Sequence, residues 1–159
     1  MKQKLLLPII IAPLVILIDQ LTKLYIDLTL PMYASYTVVE HFFQITYLRN
    51  KGAAFGILAT SPYRLPFFIG ISLVAVVAIG YYIHRLRPDQ RLAAIALSLV
   101  LAGALGNLID RIRLGEVIDF LYFHWYTHYW PAFNVADSAI CIGVGLLVVD
   151  MLREERRAK

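Results

Sequence analysis

Charged residues are scarce in this sequence, and their scarcity excludes an ordinary soluble fold. Only 16% of the 159 residues are Asp, Glu, Lys or Arg, whereas 60% are hydrophobic, and the mean hydropathy is +0.68. Soluble domains carry about 25% charged residues. The composition therefore predicts an integral membrane protein, and the length predicts one domain that covers residues 1–159.

The sequence also lacks internal repeats, low-complexity tracts and linkers, which leaves four apolar stretches as its main feature. We predict helices at about residues 5–26, 65–83, 92–111 and 133–152. Each has close to the roughly 20 residues that a helix needs to cross ~30 Å of hydrocarbon. The first stretch is similar to a secretory signal peptide, but no small-x-small cleavage site follows it, so we expect it to be retained.

Lysine and arginine are distributed unevenly between the two ends of this predicted bundle. Nine lie at one end: Lys2, Lys4, Arg85, Arg87, Arg91, Arg153, Arg156, Arg157 and Lys159. Six lie at the other: Lys23, Arg49, Lys51, Arg64, Arg111 and Arg113. Basic residues favour the cytoplasmic side and anionic lipid, so we expect both termini to be cytoplasmic. They are too scattered to indicate nucleic acid binding.

The two remaining segments, 27–64 and 112–132, should lie outside. The first contains SYTVVEHFFQITYLRN, whose β-branched and aromatic residues predict strands at the membrane surface. The second contains FLYFHWYTHYW, which we interpret as an aromatic loop at the level of the lipid headgroups. The fold class is therefore an all-α membrane protein with four transmembrane helices and a small extracytoplasmic β-rich segment.

Few residues are suited to bind metal or form disulfides. A single cysteine, Cys141, excludes a disulfide within the chain, and we expect it to be a small core residue. His124 and His128 are four residues apart, but no third ligand accompanies them, which favours polar tips at the interface. There is no H-E-x-x-H motif for zinc and no Gly-x-Ser-Gly motif for a serine nucleophile. We expect neither a metal nor a cofactor.

Polar residues inside the predicted helices are costly in lipid and usually serve a function or have a partner. Asp19 and Lys23 are four apart on one helix face, which indicates either a salt bridge or a role in positioning substrate. Gly103, Asn107 and Asp110 share a face of the third helix, with Arg111 beside them. The glycine allows close helix approach and the polar groups can bond across it, so this face is either scaffold or site.

Asp119 in VIDF and Asp137 in FNVADSA both fall at the outer end of the bundle. Two carboxylates close together in a low dielectric cannot both ionise easily, so one should hold a proton while the other is charged, as in aspartic proteases. Alternatively, each aspartate caps a helix or pairs with an arginine. A small transporter or proton-relay subunit would also carry such carboxylates, although such folds often show inverted repeats.

Five motifs occur in one order: DQLTK, NKGAAF, GALGNLIDR, VIDF and FNVADSA. This set resembles the bacterial lipoprotein signal peptidase family, also called signal peptidase II. The resemblance implies a membrane aspartic endopeptidase of the bacterial inner membrane that cuts diacylglyceryl-modified prolipoproteins just before the lipidated cysteine. Its partners would be these lipidated substrates and membrane lipid, and the oligomeric state stays open.

The resemblance also implies roles for individual residues. Asp119 and Asp137 match the catalytic pair. The residues that would line or support the site are Asp19, Lys23, Asn50, Gly52, Asn107, Asp110, Arg111 and Asn134. The chain departs from the family at Lys51, where threonine is common, and this affects only how that loop is expected to meet the substrate.

Overall fold

The computed structural model describes residues 3–52 and 58–158 of the chain. Within them, four helices are long and apolar enough to cross a membrane, as the sequence predicts. They are α1 (Gln3–Thr29), α2 (Arg64–Arg85), α3 (Arg91–Leu114) and α4 (Val135–Ala158). Most of the helix ends lie beyond the predicted bounds, because hydropathy marks only the apolar part and helical hydrogen bonding continues into polar residues. Lys2, Lys159 and the end of the NKGAAF motif lie outside the described residues.

The third helix is the centre of the bundle, with α1, α2 and α4 all packed against it. The sequence predicts a close helix approach at the glycines of the third helix, and the helix that approaches there is α4. A Cβ atom on Gly103 would lie 2.3 Å from the Ala136 carbonyl oxygen, and one on Gly143 would lie 2.7 Å from the Ala96 carbonyl oxygen. In the described part of the chain, α2 and α4 pack far less against each other than against α3, which leaves a groove between them.

An antiparallel sheet covers one end of the bundle, with strand order β1-β2-β3-β4. Its strands are β1 (Ser35–Val39), β2 (Phe43–Asn50), β3 (Val117–Trp125) and β4 (His128–Tyr129). The strands expected in segment 27–64 are thus present. The aromatic loop expected in segment 112–132 is wrong, because VIDFLYFHW forms β3 and pairs with β2. Asp119 therefore lies on a strand.

Buried side chains join the sheet to the end of α1. Ile26 of α1 packs with Tyr47, Ile118 and Phe120 of the sheet. The Tyr47 hydroxyl also donates a hydrogen bond to Asp27, and Arg49 Nη2 lies 2.9 Å from Asp27 Oδ1. These contacts fix β2, whose last residue is Asn50, relative to the helices.

The α2–α3 turn and the last turns of α4 meet at the opposite end of the bundle. Arg87 Nη2 lies 3.6 Å from Glu154 Oε1, and Gln90 Nε2 donates to the same oxygen at 3.2 Å. The sheet and this polar turn are therefore at opposite ends of the spanning helices.

Candidate active site

Asp137 is held in the first turn of α4 by a reciprocal helix cap. Its backbone N–H donates to Asn134 Oδ1 at 2.9 Å, and the Asn134 N–H donates to Asp137 Oδ2 at 3.3 Å. This is a capping box, in which the residue before the helix and the third helical residue bond each other's backbone. The motif FNVADSA thus starts the helix and fixes Asp137 where the helix dipole favours negative charge.

Asp119 lies on β3 and is buried, and both of its carboxylate oxygens accept hydrogen bonds from amide side chains. Asn134 Nδ2 donates to Oδ1 at 2.8 Å, and Asn50 Nδ2 donates to Oδ2 at 2.9 Å. Asn50 is the last residue of β2, and its own oxygen accepts from the Gly52 N–H at 2.9 Å. The β2–β3 pairing and the α4 cap therefore meet at this carboxylate.

Asn107 of α3 completes the polar wall. Its Nδ2 donates to Asp137 Oδ1 at 2.7 Å, and its Oδ1 accepts from Lys23 Nζ at 3.0 Å and from Asn134 Nδ2 at 3.2 Å. In each of the three amides, those of Asn50, Asn107 and Asn134, the oxygen accepts a hydrogen bond from a donor elsewhere. The NH₂ group is therefore the end of each amide that faces a carboxylate. The amides stabilise the pair without adding charge.

Both aspartates line a cavity of about 590 Å³ between α2 and α4. Its other polar wall residues include Asn50, Asn107 and Arg111, and Gly52 lies beside them in the wall. The rest of the wall is mainly apolar or small, and includes Ile71, Ala75, Ala104, Trp130, Phe133, Ile140 and Cys141. An apolar substrate segment can therefore lie next to the carboxylates.

Burial changes the acidity of Asp119. Desolvation, followed by the charge of nearby Asp137, raises the pKa of Asp119 from its ordinary value of 3.8 to about 7, while hydrogen bonds from Asn50 and Asn134 oppose the rise. A carboxyl group with such a pKa exchanges its proton near neutral pH, as general acid–base catalysis requires.

Asp19, Lys23 and Asp110 form a buried ion cluster beneath the cavity. Lys23 Nζ lies 2.9 Å from Asp19 Oδ2 and 2.9 Å from Asp110 Oδ2, so the salt bridge expected on α1 is present. Asp19 Oδ1 also accepts from the Ala136 N–H of α4, and Asp110 Oδ2 from the Ile118 N–H of β3. The cluster thus joins α1, α3, α4 and the sheet.

Arg111 lies at the cavity wall, where its contacts are with carbonyl oxygens and a ring. Its guanidinium donates to Gly52 O at 3.3 Å and to Asn107 O at 3.5 Å, and its Cζ lies 4.8 Å from the centre of the Phe68 ring. Among the described residues, no lysine or arginine is ion-paired with Asp119 or Asp137. The alternative of arginine pairing is therefore wrong, whereas helix capping is correct for Asp137.

One residue lies outside its predicted environment, and two others have contacts that the sequence did not indicate. Cys141, expected in the core, is exposed and lines the cavity, because it follows Asp137 by four residues and shares its helix face. Ser138 also lines the cavity. Gln20, within DQLTK, donates to Asp110 Oδ1 at 3.0 Å and to the Gly106 carbonyl at 3.2 Å. The spacing from Asp137 was available as a signal for Cys141.

Three further residues lie away from the carboxylates. His124 and His128 lie on the adjacent strands β3 and β4. Across residues 3–52 and 58–158, no group of three His, Cys, Asp or Glu side chains is placed to hold a metal ion. Lys51 Nζ lies 3.6 Å from Glu116 Oε1, which connects the two outer segments at the cavity rim.

The raised pKa of Asp119 predicts a pH-dependent effect of Asp119→Asn on stability. Because the folded pKa lies above the unfolded value, the unfolded chain loses its proton first, and the free energy of unfolding of the parent falls as pH rises from about 4 to about 7. The variant has no ionisable side chain at position 119, so its free energy of unfolding should not show this fall. Between pH 5 and pH 8 its stability relative to the parent should therefore rise by on the order of 2 kcal/mol. Thermal unfolding of both proteins in detergent measures this difference in stability, and a difference that does not change with pH would contradict the prediction.

Comparisons with known proteins show the family of the chain. The model of the signal peptidase (SPase) II family matches residues 11–153. The lipoprotein signal peptidase of Geobacter metallireducens is 60% identical over 148 residues, which cover 93% of this chain and 91% of that protein. That of Geobacter sulfurreducens is 62% identical over 142 residues, 89% of each chain. A solved structure described as a bacterial membrane enzyme has a TM-score of 0.86 and 39% identity, covering 96% of this chain and 91% of that one. The chain belongs to the signal peptidase II family.

Proposed function

We propose that the chain is a membrane aspartic endopeptidase that removes signal peptides from diacylglyceryl-modified prolipoproteins, with Asp119 and Asp137 as its catalytic pair. The observation that carries this proposal is that both carboxylates line one cavity and both are hydrogen-bonded to Asn134. Family membership supplies the substrate class. The family's cleavage point, just before the lipidated cysteine, is carried over with it.

The chemistry follows from one proton shared by the pair. The ionised aspartate takes a proton from water as the water oxygen bonds to the scissile carbonyl carbon, and the protonated aspartate donates to the carbonyl oxygen. Collapse of this gem-diol intermediate breaks the C–N bond. The leaving nitrogen takes a proton from one aspartate, and a hydroxyl of the intermediate returns a proton to the other as the carbonyl re-forms, so the pair again holds one proton. Asn50, Asn107 and Asn134 hold the carboxylates through their NH₂ groups.

Arg111 and Gly52 have supporting roles in this proposal. The Arg111 guanidinium has five N–H donors, and its bonds to two backbone carbonyls at the cavity wall leave it able to donate to a carbonyl of an extended peptide beside Asp137. Gly52 is buried in the wall and holds Asn50 through its N–H. Asp19, Lys23 and Asp110 support the site from below, without lining the cavity.

The apolar walls of the cavity support a lipid-bound substrate. Ile71 and Ala75 on α2 face the groove opposite Ile140 and Cys141 on α4. A signal helix and acyl chains that lie in the bilayer can reach the carboxylates through this groove without crossing water. The transfer of such apolar groups out of lipid would otherwise cost about 0.8 kcal/mol for each CH₂.

We further propose that the sheet and the cavity lie at the outer face of the bacterial inner membrane, with both termini in the cytoplasm. Basic residues support this orientation: Arg85, Arg87 and Arg91 lie in or beside the α2–α3 turn, and Arg153, Arg156 and Arg157 lie near the end of α4. Both of these regions are at the end opposite the sheet. The excess of basic residues at that end favours the cytoplasmic side.

Replacing either Asp119 or Asp137 by Asn should abolish cleavage, with a loss of about a hundred- to ten-thousandfold in turnover, because an amide cannot exchange a proton. The double variant should be little worse than either single variant, since the two groups act as one unit. Cleavage rate per folded enzyme, measured beside thermal stability in detergent, is the test. Near-parental turnover of either single variant would refute the aspartic mechanism.

The matched control for this experiment is Asp110→Asn, an identical change outside the cavity. Asp110 binds Lys23, Gln20 and the Ile118 N–H, so its loss should lower stability and activity together. The catalytic variants should instead lose activity while they remain folded. If Asp119→Asn and Asp137→Asn lost activity only because they unfolded, Asp119 and Asp137 would be structural rather than catalytic residues.

The proposed function predicts that cleavage requires the diacylglyceryl group of the substrate. Purified enzyme should release the signal peptide from a lipidated prolipoprotein and not from the same precursor without lipid. The Asp137→Asn variant, assayed in parallel, controls for contaminating proteases. Equal cleavage of both precursors would indicate a general signal peptidase, and cleavage of neither would refute the proposed activity.

The proposed orientation predicts opposite signals from two reporter positions. An alkaline phosphatase inserted after Glu40, in the exposed turn between β1 and β2, should be active because it lies outside. The same reporter fused after Lys159 should be inactive in the cytoplasm. Activity at both positions, or only after Lys159, would overturn the orientation.

A further inference from the structure

Lys23 is a buried cation whose three N–H donors are all used. Its side chain is 2% exposed, and its Nζ lies 2.9 Å from Asp19 Oδ2, 2.9 Å from Asp110 Oδ2 and 3.0 Å from Asn107 Oδ1. An ammonium group has three donors and no acceptor. The three contacts therefore satisfy it completely, and each partner atom must be an acceptor.

Of these three partners, only Asn107 lines the cavity. Because Lys23 cannot accept a hydrogen bond, the Asn107 atom that faces it must be the amide oxygen. The Asn107 NH₂ group is then directed at Asp137 Oδ1, 2.7 Å away. The buried ammonium thus determines which end of the amide a catalytic carboxylate meets.

Rotation of the Asn107 amide by half a turn would reverse every one of these contacts. The NH₂ group would face the Lys23 ammonium and the Asn134 NH₂, and the oxygen would face the Asp137 carboxylate. Without Lys23, the Asn107 oxygen would keep only the longer bond from Asn134 Nδ2, at 3.2 Å, and the present orientation would otherwise depend on the Asn107–Asp137 bond itself. That Asn134 group is also shared with Asp119 and with the Ile118 carbonyl.

We propose that Lys23 is a positioning residue for peptide hydrolysis: it orients the Asn107 amide so that its NH₂ group holds Asp137 as an ionised hydrogen-bond acceptor facing the cavity. This inference rests on the proposed function, because it assigns Asp137 to the catalytic pair. It adds a route by which a residue that does not touch the substrate affects the rate. The salt bridges to Asp19 and Asp110 are a separate, structural contribution of the same side chain.

A double-mutant cycle separates the two contributions. Lys23→Met keeps the length of the side chain and removes its charge, and Asn107→Ala removes the amide through which Lys23 acts. In the parent, Lys23→Met should lower kcat roughly ten- to hundredfold, the effect of losing a hydrogen bond to a charged group, and leave KM unchanged. In the Asn107→Ala background, Lys23→Met should cause no further loss of kcat. Rates are measured on a lipidated prolipoprotein, per folded enzyme.

The outcomes distinguish the possibilities. An equal loss of kcat in both backgrounds, an unchanged kcat, or a rise in KM alone would each overturn the positioning role. If the parent enzyme does not cleave the substrate, the proposed function fails and this inference fails with it. If the parent is active and Asp137→Asn is inactive, the proposed function stands whatever the result for Lys23.

A second comparison is needed if Lys23→Met does not fold. The variant leaves two buried carboxylates without their cation, which destabilises the protein. The variant Lys23→Met/Asp110→Asn removes one charge of each sign, so the net charge of the buried cluster stays as in the parent. Its reference is Asp110→Asn alone. The positioning role predicts a loss of kcat of the same size relative to this reference, and equal kcat values would overturn it.

Discussion

Asn134 makes the hydrogen bonds on which the rest of the site depends. Its oxygen caps α4 through the Asp137 N–H, and its NH₂ group reaches Asp119 Oδ1, Asn107 Oδ1 and the Ile118 carbonyl. One fully buried amide therefore connects the first turn of a helix, the neighbouring helix and a strand. The relative position of the two carboxylates is set by Asn134, because its side chain donates to the Asp119 carboxylate and its backbone N–H donates to the Asp137 carboxylate.

The surrounding amides address a conflict between stability and catalysis. A buried carboxylate needs hydrogen bonds, since desolvation opposes its charge. A directly paired arginine or lysine would stabilise the charge so strongly that the proton could not be exchanged near neutral pH. Neutral NH₂ donors from Asn50, Asn107 and Asn134 supply hydrogen bonds without this effect, and the pKa of Asp119 near 7 reflects that balance. The cation, Lys23, instead contacts Asp19, Asp110 and the amide oxygen of Asn107.

Local patterns in the sequence predicted the local parts of the structure. Hydropathy located the four helices, and the four-residue spacing of Asp19 and Lys23 predicted their salt bridge. Gly103 predicted a close helix approach, and α4 is the helix that makes it. Each of these depends on residues within a few turns of one helix or on a property that a single residue type carries.

Contacts between distant segments could not be predicted in the same way. Asn50 and Asp119 meet only because β2 pairs with β3, and the register of that pairing depends on packing that no local pattern encodes. The aromatic residues of β3 suit both a strand and an interfacial loop, so composition alone did not distinguish the two. Cys141 is a different case: it was expected in the core as a small apolar residue, although its four-residue spacing from Asp137 places it on the helix face that lines the cavity. The family motifs supplied Asn50, Gly52 and Asn134, which pattern and spacing did not single out.

The position of the cavity follows from what the two reactants need. Water must reach the carboxylates, whereas an acylated substrate and its signal helix stay in lipid. At the sheet end of the bundle, α2 and α4 leave a groove that opens toward the bilayer. The polar groups of β2, β3 and the α4 cap line the end of this groove that is nearest the sheet. A site deeper along the helices would exclude water, and one on top of the sheet would require the acyl chains to leave the bilayer. The junction of helix ends and sheet is the location in this fold that meets both requirements.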